Sequence, residues 1–128
     1  MREMSDALNR LSHDVIGAAI EVHRILGPGF LERSYQRALA IELGLREISY
    51  VIESPIHLEY KGESIGEGRI DILVADELVV ELKAVDAIVP IHEAQALSYL
   101  KATGYELALL INFNTPVLKD GIKRIIRS

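Results

Sequence analysis

Cysteine is absent from the 128 residues. That removes disulfides, thiolate metal sites and cysteine nucleophiles together, and it fits a reducing compartment. Long apolar runs are missing too. No stretch approaches the roughly 18 residues a membrane-spanning helix needs, and the opening MREMSDALNR is too charged for a signal peptide. A cytoplasmic, untethered protein is expected, with no membrane partner. Aromatic residues make up only 5% of the chain, and 14 Lys and Arg face 19 Asp and Glu for a net charge of -5. Proteins that grip phosphate backbones usually carry a basic surface, so this balance counts against nucleic-acid binding. Two features offset it. A carboxylate metal site would add negative charge that its cation neutralises. Basic residues also cluster locally, at Arg33 and Arg37 and in the tail at Lys119, Lys123, Arg124 and Arg127.

What is present suits a folded core. Hydrophobic residues are 49% of the chain, and a chain of this length buries enough surface to fold without staples. With no repeat, low-complexity tract or linker, residues 1–128 are expected to form a single domain. Met4, Leu8, Leu11, Val15, Ala18, Ala19, Val22 and Ile25 recur at three- and four-residue spacing, which predicts an amphipathic helix. Ser5 or Ser12 would cap its start, and Gly27-Pro28-Gly29 would end it. A second helix is expected from about Phe30 to Arg46, with Leu31, Tyr35, Ala38, Leu39 and Leu43 turned inward.

The period then changes. Tyr50 to Tyr60, β-branched and holding one proline, predicts an edge-type strand. Lys61-Gly62-Glu63 predicts a turn. Ser64 to Val74 predicts a second strand, which Gly66 and Gly68 allow to bend or bulge. Leu78 to Val85, apolar apart from Glu81 and Lys83, predicts a central strand covered on both faces. Pro90 opens a helix that Gly104 stops near Thr103. Tyr105 to Phe113 is a further buried strand, and Gly121 to Arg127 a short final one. Helix, helix, three meandering strands, a crossover helix and further strands describe an α/β protein with a mixed sheet flanked by helices.

Glu81 and Lys83 are anomalous. Two apart on a strand, they share a face, and their neighbours Val79, Val80, Leu82, Ala84 and Val85 are all apolar. Ionised groups there are costly unless paired. A buried Glu–Lys ion pair is the plain explanation. Asp71, inside the apolar run Ile70 to Val74, offers another. A three-residue hairpin loop at Ala75-Asp76-Glu77 sets Asp71 opposite Glu81 on one face, whereas a two-residue loop sets them on opposite faces. A metal site therefore requires an odd loop count or a bulge. Two carboxylates about 4 Å apart repel by roughly 4 kcal/mol at an effective dielectric of 20, which a cation or a shared proton would relieve. Mg²⁺ takes oxygen ligands and needs only one or two carboxylates. Lys83 could orient or deprotonate a water, or stabilise developing charge. Neighbouring carboxylates favour its charged form, so the electrostatic role is preferred.

These residues carry a resemblance. Asp71, nine intervening residues, then Glu81-Leu82-Lys83 resembles the D-x(n)-E-x-K core of the PD-(D/E)XK nuclease superfamily. Gly29-Phe30-Leu31-Glu32-Arg33-Ser34-Tyr35 is similar to the pattern of the GxxExxY protein family within it. The similarity runs from about Leu11 to Phe113. The superfamily's proline is absent before Asp71, where Arg69-Ile70 stands. The resemblance implies a restriction-endonuclease-like fold and hydrolysis of phosphodiester bonds in nucleic acid, DNA ahead of RNA, with Mg²⁺ or else Mn²⁺. It implies that Glu32, Asp71 and Glu81 hold the metal and that Lys83 is the catalytic lysine. Gln95-x-x-x-Tyr99 is similar to the Q-x-x-x-Y motif of RecB-like nucleases, where Gln supports the active site and Tyr contacts nucleic acid. Arg33 and Tyr35, beside Glu32, are assigned with Tyr99 to substrate binding.

Plainer roles exist for each. Glu32 is also an acid favoured at a helix N-terminus, Gln95 a solvated helix residue, Tyr99 a packing residue at the rim, and His92 and His23 side chains without a catalytic part. Two other functions compete with the nuclease: a non-catalytic nucleic-acid-binding or assembly module on the same fold, and a metal hydrolase of small phosphoesters, for which acidity is no handicap. A homodimer through the first helix or an exposed strand edge is left open.

Overall fold

A computed structural model describes residues 4–128. Helices α1 (Asp6–Leu26) and α2 (Glu32–Leu45) precede strands β1 (Tyr50–Tyr60), β2 (Glu63–Val74) and β3 (Leu78–Lys83). Helix α3 (Pro90–Thr103), strand β4 (Leu107–Asn112), a 3₁₀ turn at Leu118–Gly121 and strand β5 (Ile122–Ile126) follow. The strands form one five-stranded sheet in the order β1-β2-β3-β4-β5. β3 and β4 are parallel, and every other neighbouring pair is antiparallel. The α3 crossover makes that parallel pair possible. Among the described residues no helix is long and apolar enough to cross a membrane.

Two cores sandwich the sheet. Ile72, Val74, Leu78, Val80, Leu82, Leu107, Leu109 and Ile111 pack with α1 and α2. Ile70, Leu73, Val79 and Ala108 pack with Ala96 and Leu100 of α3. On β3 and β4 the even and odd positions separate cleanly between these faces, as strand geometry demands. This double cover is why β3 and β4 read as continuous apolar runs.

Local chemistry sets the element ends. Ser5 caps α1, its side chain accepting from the Leu8 amide at 3.1 Å. Ser12 instead lies buried within the helix. The Gly27 amide closes α1 on the His23 carbonyl. In β2 a bulge shifts the pairing from Leu58↔Gly66 to Glu59↔Ser64, and Gly66 takes the required positive φ of 125°. Gly68 serves a different end. A Cβ there would stand 3.0 Å from Tyr99 Cε1, so the bare backbone is what admits the Tyr99 ring against β2.

Several expectations need correcting. Leu31 is 78% exposed, because it caps α2 in an extended conformation and leaves the helical period. Ile25 is 64% exposed, and Leu26, four residues beyond Val22, makes the last core contact of α1. His23, read as a side chain without a catalytic part, needs no correction: it is buried, its Nε2 2.8 Å from the Thr115 carbonyl. β3 stops at Lys83, since the Asn112 side chain takes both the amide and the carbonyl of Val85.

Tyr35 ties the helix junction together. Fully buried, its ring stacks on Phe113 with centroids 4.4 Å apart. Its hydroxyl donates to the Gly27 carbonyl at 2.6 Å and accepts from the Phe30 amide at 3.1 Å. Tyr35→Phe keeps the stacking and strands both backbone groups, so urea unfolding should show a loss of about 1–3 kcal/mol. An unchanged midpoint would mean that water satisfies the loop without the hydroxyl.

Candidate active site

The site begins with the β2–β3 hairpin. Val74↔Leu78, Leu73↔Val79 and Ile72↔Val80 pair in register, leaving a three-residue loop. Ala75 and Asp76 both take positive φ, 52° and 53°, and the Glu77 amide donates to the Val74 carbonyl at 3.0 Å. The odd count has the expected consequence: one step beyond Ile72↔Val80, Asp71 stands across from Glu81. There the ladder stops. The Leu82 amide donates instead to Asp71 Oδ2 at 2.7 Å. Gln36 of α2 donates through Nε2 to the Asp71 carbonyl at 2.9 Å, so helix and ladder together fix this residue.

Regular alternation also fails here. Ile70 packs in the α3 core and Ile72 in the α1–α2 core, although residues two apart in a regular strand share a face. Asp71 sits at the reversal. Opposite it on β1, between the pairs Ile52↔Ile72 and Ser54↔Ile70, Glu53 has φ 54°. The opening so made is a cleft of about 160 Å³ lined by Glu32, Arg33, Gln36, Glu53, Asp71 and Leu82.

Glu81 lies beside this cleft and is only 6% exposed. Burial above all, then repulsion from Asp71, pushes its carboxyl up to about 9, and the Lys83 charge opposes this only weakly. Its Oε1 is buried without a hydrogen-bond partner. The buried Glu81–Lys83 ion pair does not form: Lys83 is half-buried and makes no ion pair among the described residues.

The structure thus brings Glu32, Arg33 and Asp71 to one cleft, with Glu81 adjoining Asp71. It does not bring every predicted residue there. Tyr35 is withdrawn from substrate binding, because its ring is fully buried and its hydroxyl is spent on the backbone. Gln95 and Tyr99 stand on α3 across the sheet from α2, joined to each other by a 3.4 Å hydrogen bond, and neither lines the cleft. His92 accepts from the Val89 amide through Nδ1 at 3.1 Å and so caps α3. Gln36 and Glu53 were not anticipated. Gln36 could have been found one helical turn beyond Glu32; for Glu53 the one signal was an acid following Val51 and Ile52.

Among the described residues no three carboxylate or imidazole groups stand close enough to hold a metal ion as their side chains now lie. The donor set nevertheless fits a hard divalent cation. It is all oxygen, it includes the unpartnered Glu81 Oε1, and its like charges need an opposite one.

The Glu81 proton has a measurable consequence. A carboxyl whose folded value exceeds its unfolded one favours folding fully below the unfolded value and stops doing so above the folded value. In buffer with a chelator, stability should therefore fall as pH rises from about 5 to about 9. The slope for one proton approaches about 1.4 kcal/mol per pH unit. Glu81→Gln should flatten it, melting above wild type near pH 8 and level with it near pH 4. Parallel melting profiles for the two proteins would show that Glu81 ionises freely in the fold.

Comparison with known proteins accords with this geometry. No curated protein matches the chain. Among solved structures it is similar to the crystal structure of an alkaline exonuclease from Laribacter hongkongensis, with a TM-score of 0.52 and 16% identity over 98% of this chain and 73% of that one. At that identity the likeness concerns the fold, a mixed sheet flanked by helices. The model of the PD-(D/E)XK nuclease superfamily matches residues 9–125. Over that span, from the first helix to the last strand, the chain belongs to the PD-(D/E)XK nuclease superfamily.

Proposed function

We propose that residues 1–128 form one metal-dependent nuclease domain of the GxxExxY branch, cytoplasmic, cutting phosphodiester bonds of DNA ahead of RNA. One observation carries the reading: Asp71 and Glu81 face each other where the β2–β3 ladder ends, with Glu81 Oε1 buried and unpartnered. Superfamily membership and the likeness to an alkaline exonuclease support it.

Mg²⁺, with Mn²⁺ as substitute, would polarise the scissile phosphate and lower the pKa of an attacking water. Asp71 and Glu81 would hold it, with Glu32 reaching from the first turn of α2. The Leu82 amide fixes the orientation of Asp71 by taking Oδ2, and Gln36 steadies the backbone behind it. Lys83, half-buried and free of ion pairs, supplies positive charge where negative charge grows on the phosphate. Arg33 at the cleft offers a fork for a neighbouring phosphate. Gln95 and Tyr99 serve from α3, Gln95 supporting Lys83's side of the sheet and Tyr99 meeting nucleic acid at the rim.

A non-catalytic module on the same fold is the second reading, favoured by the net charge of -5 and by the scattered carboxylates of the described residues. A panel of single- and double-stranded DNA, RNA and a simple phosphodiester, with Mg²⁺ or Mn²⁺, separates the two. Nucleic acid should be cleaved, and Asp71→Asn and Lys83→Met should each lower kcat by about a hundredfold or more. Wild type that binds no divalent ion at millimolar concentration, or Asp71→Asn that cleaves normally, would overturn the nuclease reading. Cleavage of the simple phosphodiester alone would point to a small-phosphoester hydrolase.

A further inference from the structure

Glu53 holds φ 54° in the middle of β1, in the left-handed region that a Cβ disfavours. The pairs on either side of it are intact, so the irregularity is confined to this residue and falls across from Asp71. Nothing in the fold compensates through its side chain. Among the described residues its carboxylate makes no hydrogen bond or ion pair; its carbonyl alone is engaged, by Arg69 Nη1 at 3.4 Å. A strand that merely needed to twist here would use glycine, as β2 does at Gly66.

Glu53 instead lines the cleft, with Glu32 and Asp71. Against Asp71 lies a second, independent feature: Glu81, 6% exposed, with Oε1 unpartnered. No lysine or arginine comes within ion-pair distance of any of these four acids among the described residues. Like charges gathered this way, one of them on a strained backbone, are stabilised by a ligand of opposite sign.

We propose that Glu53 is a further ligand, direct or through one water, for the divalent cation taken by Asp71 and Glu81, and that its left-handed backbone is what turns the carboxylate into the cleft. This rests on the metal site of the nuclease reading. It adds a residue from the edge strand, so that three elements besides β3 converge on the cation.

Two variants separate ligation from strain. Glu53→Gln keeps the size and removes the charge; Glu53→Gly also relaxes the backbone. Mn²⁺ alone is titrated into each protein, and free Mn²⁺ is read by electron paramagnetic resonance, which needs no cleavage. Both variants should bind Mn²⁺ roughly tenfold more weakly than wild type. In chelator, Glu53→Gly should melt at or above wild type. Wild-type affinity in either variant overturns the ligand role while leaving Asp71 and Glu81 in place. A lower melting temperature for Glu53→Gly overturns the strained kink. Wild type that binds no Mn²⁺ overturns this proposal together with the metal site beneath it.

Discussion

Two carboxyl groups, Asp71 and Glu81, are set against each other in an apolar sheet, and the rest of the architecture is organised around tolerating them. Hairpin parity puts them opposite one another. The end of the ladder gives Asp71 a backbone amide to accept from. Burial deprives Glu81 of water. The contact is unfavourable with both groups ionised, so it persists only with a proton or a cation between them. A protein selected only for stability would replace the pair with a well-packed apolar one, which often folds as well or better. Under the nuclease reading proposed above, the pair serves chemistry rather than scaffolding.

Much of this was legible in the sequence because it follows from integers. Strand alternation has a period of two, so counting Ala75-Asp76-Glu77 as the loop decided whether Asp71 and Glu81 could meet, and the observed register carries that loop. Apolar continuity identified β3 and β4 as interior strands, and Pro90 and Gly104 bounded α3 as expected. The final strand was read from four alternating residues; Ile122 and Ile125 do pack on opposite faces.

What escaped notice depends on departures from regularity. Pattern reading assumes that alternation continues, yet it reverses between Ile70 and Ile72, and Glu53 stands on β1 across from that reversal. Tyr35 was misplaced for a related reason. In Gly29-Phe30-Leu31-Glu32-Arg33-Ser34-Tyr35 the glycine, the acid and the tyrosine looked like members of one site. Geometry divides them: Gly29 (φ 109°) and Tyr35 shape the turn into α2, and Glu32, one helical turn before Gln36, reaches the cleft. Spacing alone cannot tell a residue that acts from one that places its neighbour. Leu31 shows the same limit, since a helix-capping residue has left the helical period before the hydrophobic pattern reveals it.

The net charge of -5 is less of an obstacle to a polyanionic substrate than a whole-chain sum suggests. Exposed charges are screened beyond about 8 Å at physiological ionic strength, so a phosphate at the cleft responds to what lies within one or two residues of it. Arg33 lines the cleft and Arg37 follows one turn along α2, exposed and free of ion pairs among the described residues. Four of the acids in the sum, Glu32, Glu53, Asp71 and Glu81, belong to the cleft or adjoin it. A divalent cation there would cancel two charges of the five, and the Glu81 proton accounts for a third when no cation is held. Part of the acidity that argued against nucleic acid in the composition is the acidity of the site itself, and it is the part that a metal ion would offset.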